Sequence, residues 1–298
     1  MNLQPVSAEK SASGKPAAPE IVPLSAAIGA EIRGVDLANI DTPTFEFVHH
    51  AWLDHCVLLF REQRLSDAAL VAFSRRFGDL DIAPPNENGQ VGVEGFPEVL
   101  ILSNVIENGK PIGALSNAEA EWHTDMNYID EPPTGSVLSA LEIPPAGGDT
   151  GFCNMYKALE NLPKSLRKRI DGMTIKHDAS TNSGGFLRDG AEPVTDVSAC
   201  PGAVHPIIRT HPESGRKALY LGRRRHAYIM GLPVDESESL LDEIWAHATR
   251  PEFSWHHQWA LGDVLIWDNR CAMHRRDSFD QNTRRVMHRT QIKGGRPF

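Results

Sequence analysis

The sequence predicts a mostly β chain with flanking helices, folded as a covered jelly roll, and three observations point there. Short runs rich in Val, Ile, Leu and aromatic residues recur at 57–61, 99–105, 136–143, 174–177, 204–210, 218–221, 253–259 and 264–267, with the length and composition of strands. Apolar residues at helical spacing with polar openings occur at 44–54, 66–77, 156–170 and 235–249, scattered among the strands. No internal repeat divides the chain, so a strand-built core wrapped by a few helices fits best.

Taken in order, residues 1–20 read as a flexible tail, because they carry Ser, Ala, Pro and Lys without the sustained apolar core of a secretory signal. Residues 21–298 read as a single domain; with 41% hydrophobic and 23% charged residues the chain can bury a sizeable core. The polar stretch 106–121 reads as a lid over a substrate or as a plain surface loop. Residues 121–128 read as extended, and Gly147-Gly148-Asp149-Thr150 as a tight turn before an apolar run. A turn at Gly262 opens a buried strand that delivers Arg270-Cys271-Ala272-Met273-His274 to its far end. The closing segment 284–292 alternates, which puts Arg285, Met287 and Arg289 on one face and His288 behind it.

A net charge of -9 without a long basic stripe argues against a nucleic-acid partner, and no apolar stretch is long enough to span a membrane. Four scattered cysteines form no Cys-x-x-Cys pair, which fits a reduced, cytoplasmic setting and no zinc ribbon; Cys271 reads as a small buried hydrophobe. Trp122 and Trp267 read as walls of the barrel. His256 and His257 read as outer-strand residues without a metal role, and His205 and His211, each beside a proline, as structural turns.

The chemistry lies in His123-Thr124-Asp125 with the distant His274. A strand sends residues i and i+2 to one face, so His123 and Asp125 can share an ion. Two imidazoles and one carboxylate leave the opposite coordination positions open, the arrangement that suits non-haem Fe(II) activating dioxygen. Alone, the His-x-Asp pair is equally a capped turn. Arg285 can take a carboxylate in a two-pronged grip or form a structural salt bridge, and Thr150 can add a hydroxyl or simply finish a turn. Two cations, Arg285 and Arg289, on one interior face imply a nearby anion.

With these residues in place, the chain resembles the taurine dioxygenase/TfdA family of Fe(II)- and 2-oxoglutarate-dependent dioxygenases from about Ile21 to Pro297. The markers are Ile28-Gly29-Ala30-Glu31-Ile32 with Gly34-Val35-Asp36-Leu37, Phe73-Ser74-Arg75-Arg76-Phe77-Gly78, Trp122-His123-Thr124-Asp125, Gly147-Gly148-Asp149-Thr150, Trp267-Asp268-Asn269, His274 and Arg284-Arg285-Val286-Met287-His288-Arg289. The resemblance implies a double-stranded β-helix, a cupin-like jelly roll, and a homodimer or homotetramer. It implies His123, Asp125 and His274 as Fe(II) ligands, Arg285 and Thr150 as the grip on the distal carboxylate of 2-oxoglutarate, and O2 as second cosubstrate. Decarboxylation to succinate and CO2 would then accompany hydroxylation of a small anionic substrate. The carboxylate of Asp125 argues against halogenation, since related halogenating enzymes leave that position open for chloride.

The same resemblance offers Arg289, Glu119 and Arg223 as substrate contacts, with Arg289 equally able to reinforce 2-oxoglutarate. Ala83 and Asn86 stand where taurine enzymes carry a sulfonate-site His and Tyr, and Glu119 stands where an Asn is expected. These departures point away from taurine toward an aryloxyalkanoate, another sulfonate, a sulfate ester or a related acid. Residues 147–155 and 211–217 resemble the aryloxypropionate branch. Two alternatives belong to other classes: a Zn-dependent hydrolase using the same three ligands without needing Arg285, and a non-catalytic jelly-roll binding protein.

Overall fold

Alternation along strand Val264–Asp268 organises the core: Val264 and Ile266 join one apolar cluster, Leu265 and Trp267 the other, and all four are buried. Strand Val57–Phe60 divides the same way, so the sheet they share is buried on both faces. The computed structural model describes residues 18–84, 91–114, 120–182 and 184–298. Its major sheet has seven strands in the order Glu20–Pro23, Ala30–Arg33, Val57–Phe60, Val264–Asp268, Gly135–Glu142, Val286–Ile292 and Leu100–Ser103. Pairing is antiparallel except between the second and third. Helices Thr42–His55 and Asp67–Ser74 cover one face through Val48, Trp52, Leu70 and Phe73.

The other face packs on a four-stranded sheet in the order Ser254–His257, Thr150–Asn154, Ala272–Arg276 and Ala120–His123. Phe152 of this minor sheet meets Trp267 of the major one with ring centroids 5.7 Å apart. Helices Met155–Glu160 and Val234–Ala248 close its outer side, where the Cys153 thiol donates to the Ala248 carbonyl. The result is a jelly roll with helices outside, as expected. All four cysteines are buried and free.

Several boundaries differ from expectation. The helix read over 156–170 is two, Met155–Glu160 and Lys164–Ile170, because Pro163 cannot continue the first and instead opens the second. The strand read over 204–210 splits at Ile207: Val204–Pro206 pairs with Thr174–Lys176, and Ile208–Thr210 pairs with Lys217–Leu219. His205 therefore lies inside a strand, and the buried His211 faces Asp268 across 2.9 Å, neither being a plain turn residue. Residues 1–17 of the expected tail lie outside the described residues, and Glu20 already pairs with Arg33. Within the stretch read as lid or loop, Ile106–Glu107 and Lys110–Pro111 form a small hairpin, and 115–119 lie outside the described residues. No helix among the described residues is long and apolar enough to cross a membrane.

Candidate active site

Strand register places the first two candidate ligands: His123 and His274 are direct partners across the two antiparallel strands, and their rings lie 4.2 Å apart. Asp125 arrives differently from the sequence reading. The strand ends at His123, and the chain then turns, with Met126 at φ 47 in the left-handed region. The carboxylate reaches the site from this turn instead of from an extended i, i+2 position. Asn269 holds the turn, accepting the Asp125 N–H at 2.8 Å while its amide donates to the carbonyls of Asp125 and Pro133, each at 3.0 Å. A turn leaves backbone groups unpaired, so a buried amide that can both donate and accept is suited to closing it.

The three donor atoms converge. Asp125 Oδ1 lies 3.7 Å from His123 Nε2 and 3.9 Å from His274 Nε2, and one ligand atom from each residue falls within 4.8 Å of the others. His123 Nδ1 donates to the Glu121 carbonyl at 2.7 Å, leaving the Nε2 lone pair toward the cluster. Burial pushes the His274 imidazole down to about 3 and lowers that of His123, so both are neutral at pH 7. Burial alone would raise the Asp125 carboxyl, yet the Arg289 guanidinium and the Ser136 hydroxyl hold it well below the usual carboxylate range. Two neutral imidazoles and an ionised carboxylate, all buried, form the donor set of a divalent metal, and these residues fit one.

A second feature adjoins the first. Gly147 and Gly148, at φ 75 and 71, turn the chain into strand Thr150–Asn154. Trp259 Nε1 donates to Thr150 Oγ1 at 3.0 Å, which leaves the Thr150 hydroxyl proton to point elsewhere. Arg285 is 3% exposed, has no ion-pair partner among the described residues, and its Nε makes no hydrogen bond there. Burial, with Arg276 adding to it, pushes its guanidinium down to about 9. A buried guanidinium without a counter-charge among the described residues, packed against the Gly148 turn that leads into Thr150, is a socket for an organic anion.

The substrate-contact expectations fare unevenly. Arg289 Nη1 donates to both oxygens of Asp125, at 3.2 and 3.4 Å, so it lies beside the candidate ligands. Arg223 is buried over the Tyr128 ring, 5.4 Å from its centroid, and donates to the Thr181 carbonyl. Its positive charge contributes to the lowering of His123. Its neighbour Arg224 turns outward, where it pairs with Glu238 and Asp242. Glu119 and Asn86 lie outside the described residues, while Ala83 is buried.

Four residues of this region, Ser136, Asn127, His177 and Arg276, are not marked as site residues by the sequence. Ser136 touches Asp125 from the major sheet at 3.3 Å, and no local pattern marks it. The roles of His177 and Asn127 depend on Gly222: a Cβ there would overlap Asn127 Nδ2 and crowd His177 Nδ1, so the glycine lets two buried polar groups meet the backbone. Arg276 could have been found, because it lies two residues beyond His274 on the same strand.

A jelly roll with two histidines and a carboxylate at one end, beside a buried guanidinium, defines the class of metal-dependent oxygenases that take an organic-acid cosubstrate. The family model for the taurine catabolism dioxygenase TauD, TfdA family matches residues 20–291, and the chain belongs to that family. It is an α-ketoglutarate-dependent dioxygenase, and the hydrolase and binding-protein alternatives fall away. The chain is 32% identical to (S)-phenoxypropionate/alpha-ketoglutarate-dioxygenase of Sphingobium herbicidovorans over 92% of this chain and 95% of that one. It is 37% identical to alpha-ketoglutarate-dependent 2,4-dichlorophenoxyacetate dioxygenase of Burkholderia sp. (strain RASC), over 80% and 82%. The solved structure of AAD-2 with Mn(II) and N-oxalylglycine superposes with a TM-score of 0.74 at 29% identity, covering 94% of this chain and 98% of that one.

Proposed function

We propose that His123, Asp125 and His274 hold Fe(II), that Arg285 and Thr150 grip the distal carboxylate of 2-oxoglutarate, and that the enzyme hydroxylates an aryloxyalkanoate or a similarly small organic anion. The convergence of two neutral imidazoles with an ionised carboxylate carries this reading. Iron bound there supplies the dioxygen activation that couples decarboxylation of 2-oxoglutarate to substrate oxidation. The chain's own residues position the reactants. Asn269 fixes the Asp125 turn, the Glu121 carbonyl fixes the His123 tautomer, and Trp259 orients the Thr150 hydroxyl so that its proton is available to a carboxylate oxygen.

Arg289 keeps Asp125 ionised and presents a second cation to the substrate side, with Arg223 opposite as a further anion contact. The half-buried guanidinium of Arg289 and the buried one of Arg223 favour an acid substrate, and the curated relatives named for phenoxypropionate and dichlorophenoxyacetate support the aryloxyalkanoate class. Succinate release would be measured with Fe(II), 2-oxoglutarate and air against aryloxyalkanoates, sulfonates and sulfate esters. An aryloxyalkanoate should stimulate release together with formation of the corresponding phenol, because hydroxylation beside the ether oxygen gives an unstable hemiacetal. Stimulation only by another acid class would reject the substrate assignment, and succinate formation without added metal would reject the iron site.

A further inference from the structure

We propose that Arg276 is a second guanidinium of the cosubstrate pocket, so that the distal carboxylate of 2-oxoglutarate is held between Arg276 and Arg285 with Thr150 alongside. This rests on the 2-oxoglutarate reading of the site and adds a specificity-determining residue to it. Strand Ala272–Arg276 sends His274 and Arg276 to the same face, while Arg275 points to the other, where its guanidinium lies 5.7 Å from the Trp122 ring and pairs with Asp277. Register on the neighbouring strand agrees: His274 faces Phe152, and Arg276 faces Thr150. The strand pair therefore runs about 6.8 Å, two residues, from a metal ligand to the Thr150–Arg276 pair. That step suits a five-carbon diacid whose keto-acid end sits at the metal.

Arg285 comes to the same place from the major sheet. Its guanidinium carbon lies 6.0 Å from the Phe279 ring centroid, and that of Arg276 lies 5.7 Å from the same centroid. Gly148 keeps the approach open, since an added Cβ there would already touch Arg285 Nε and the Phe279 ring at 3.4 Å. Two guanidiniums around one ring bring two positive charges to one end of the strand pair. The lowered proton affinity of Arg285, to which Arg276 contributes, agrees with that closeness. A carboxylate has two oxygens and can accept from both guanidiniums at once, whereas an uncharged chain end offers them no charge-assisted bond. The pocket thus selects keto acids by the charge of their far end.

The test is calorimetric binding of 2-oxoglutarate, and of 2-oxopentanoate as the same chain without the distal carboxylate, to the Mn(II)-loaded protein. Wild type, Arg276→Gln, Arg276→Lys and Arg285→Gln are compared. Arg276→Gln should raise the Kd for 2-oxoglutarate by about 10- to 100-fold, as expected for loss of one charge-assisted contact, and leave 2-oxopentanoate within about twofold. Arg276→Lys should lie between and, with a melting temperature near that of wild type, keeps the test meaningful if the Gln variant folds poorly. A 2-oxoglutarate Kd unchanged in Arg276→Gln while Arg285→Gln weakens it overturns the role of Arg276 and leaves the site reading intact. Equal weakening of both ligands also overturns it, since that is the mark of general distortion. Wild-type protein that does not distinguish the two keto acids removes the 2-oxoglutarate reading itself and this inference with it.

Discussion

At Asp125, burial favours the protonated carboxyl, and the Arg289 guanidinium and the Ser136 hydroxyl reverse that preference, so the candidate ligand is charged without any metal. His274 depends on its environment in the opposite sense, neutral because it is buried among apolar rings. Replacing His274 by Ala should weaken Mn(II) or Fe(II) binding by at least about 100-fold, more than loss of an outer partner costs; metal titration by calorimetry checks this. Arg285 yields a pH prediction. Its folded-state proton affinity is lowered from 12.5 to about 9, so the charged form is fully present below that pH and lost above it. A bound dicarboxylate needs the charge, so 2-oxoglutarate affinity should be flat from pH 7 to 8.5 and fall about tenfold per unit above 9. Affinity that stays constant to pH 10 would contradict the assignment of Arg285 to that carboxylate.

At the scale of elements, the minor sheet makes the site. Phe152 is fully buried, stacks against Trp255, and packs on Trp267 and His274 at centroid distances of 5.7 and 6.3 Å. Phe152→Ala should therefore cost about 3–5 kcal/mol and also weaken metal binding, because the His274 ring loses its support. Denaturant unfolding gives the first quantity and metal titration the second; a stability loss without weaker metal binding would show that the ring is held by other contacts. The turn after His123 depends on a single side chain, Asn269, three bonds of which span two segments. Asn269→Ala should lower metal affinity by about 10- to 100-fold while the far-ultraviolet spectrum stays unchanged, as expected for a partner outside the ligand set.

Across the whole molecule, the two apolar clusters share the strands of the major sheet, because Val57–Phe60 and Val264–Asp268 feed one cluster from each face. We propose on that ground that residues 21–298 unfold as one cooperative unit, and fluorescence and circular dichroism melts should coincide. Loss of either cluster would expose the other. Mn(II) and 2-oxoglutarate, each at about 100 times its Kd, should add roughly 2.7 kcal/mol apiece and raise the melting temperature by roughly 4–5 °C per ligand. No shift on adding 2-oxoglutarate to the Mn(II) form would argue against a shared site.

The sequence by itself determined the strand-rich class, the ligand types and the face shared by Arg285 and Arg289. Those features are written in alternation and in residue chemistry, which are local. His274 and Arg285 were legible because each sits in or beside a strand whose period carries its direction, and Arg276 was readable by the same rule. Only the tertiary structure decided that Asp125 meets the two histidines from a turn, that Ser136 and Asn269 hold it there, and that Arg223 turns inward while Arg224 does not. Each of these depends on which distant strand lies alongside. Such pairing is set by the summed burial of two whole sheets, a long-range quantity that no short stretch of chain encodes.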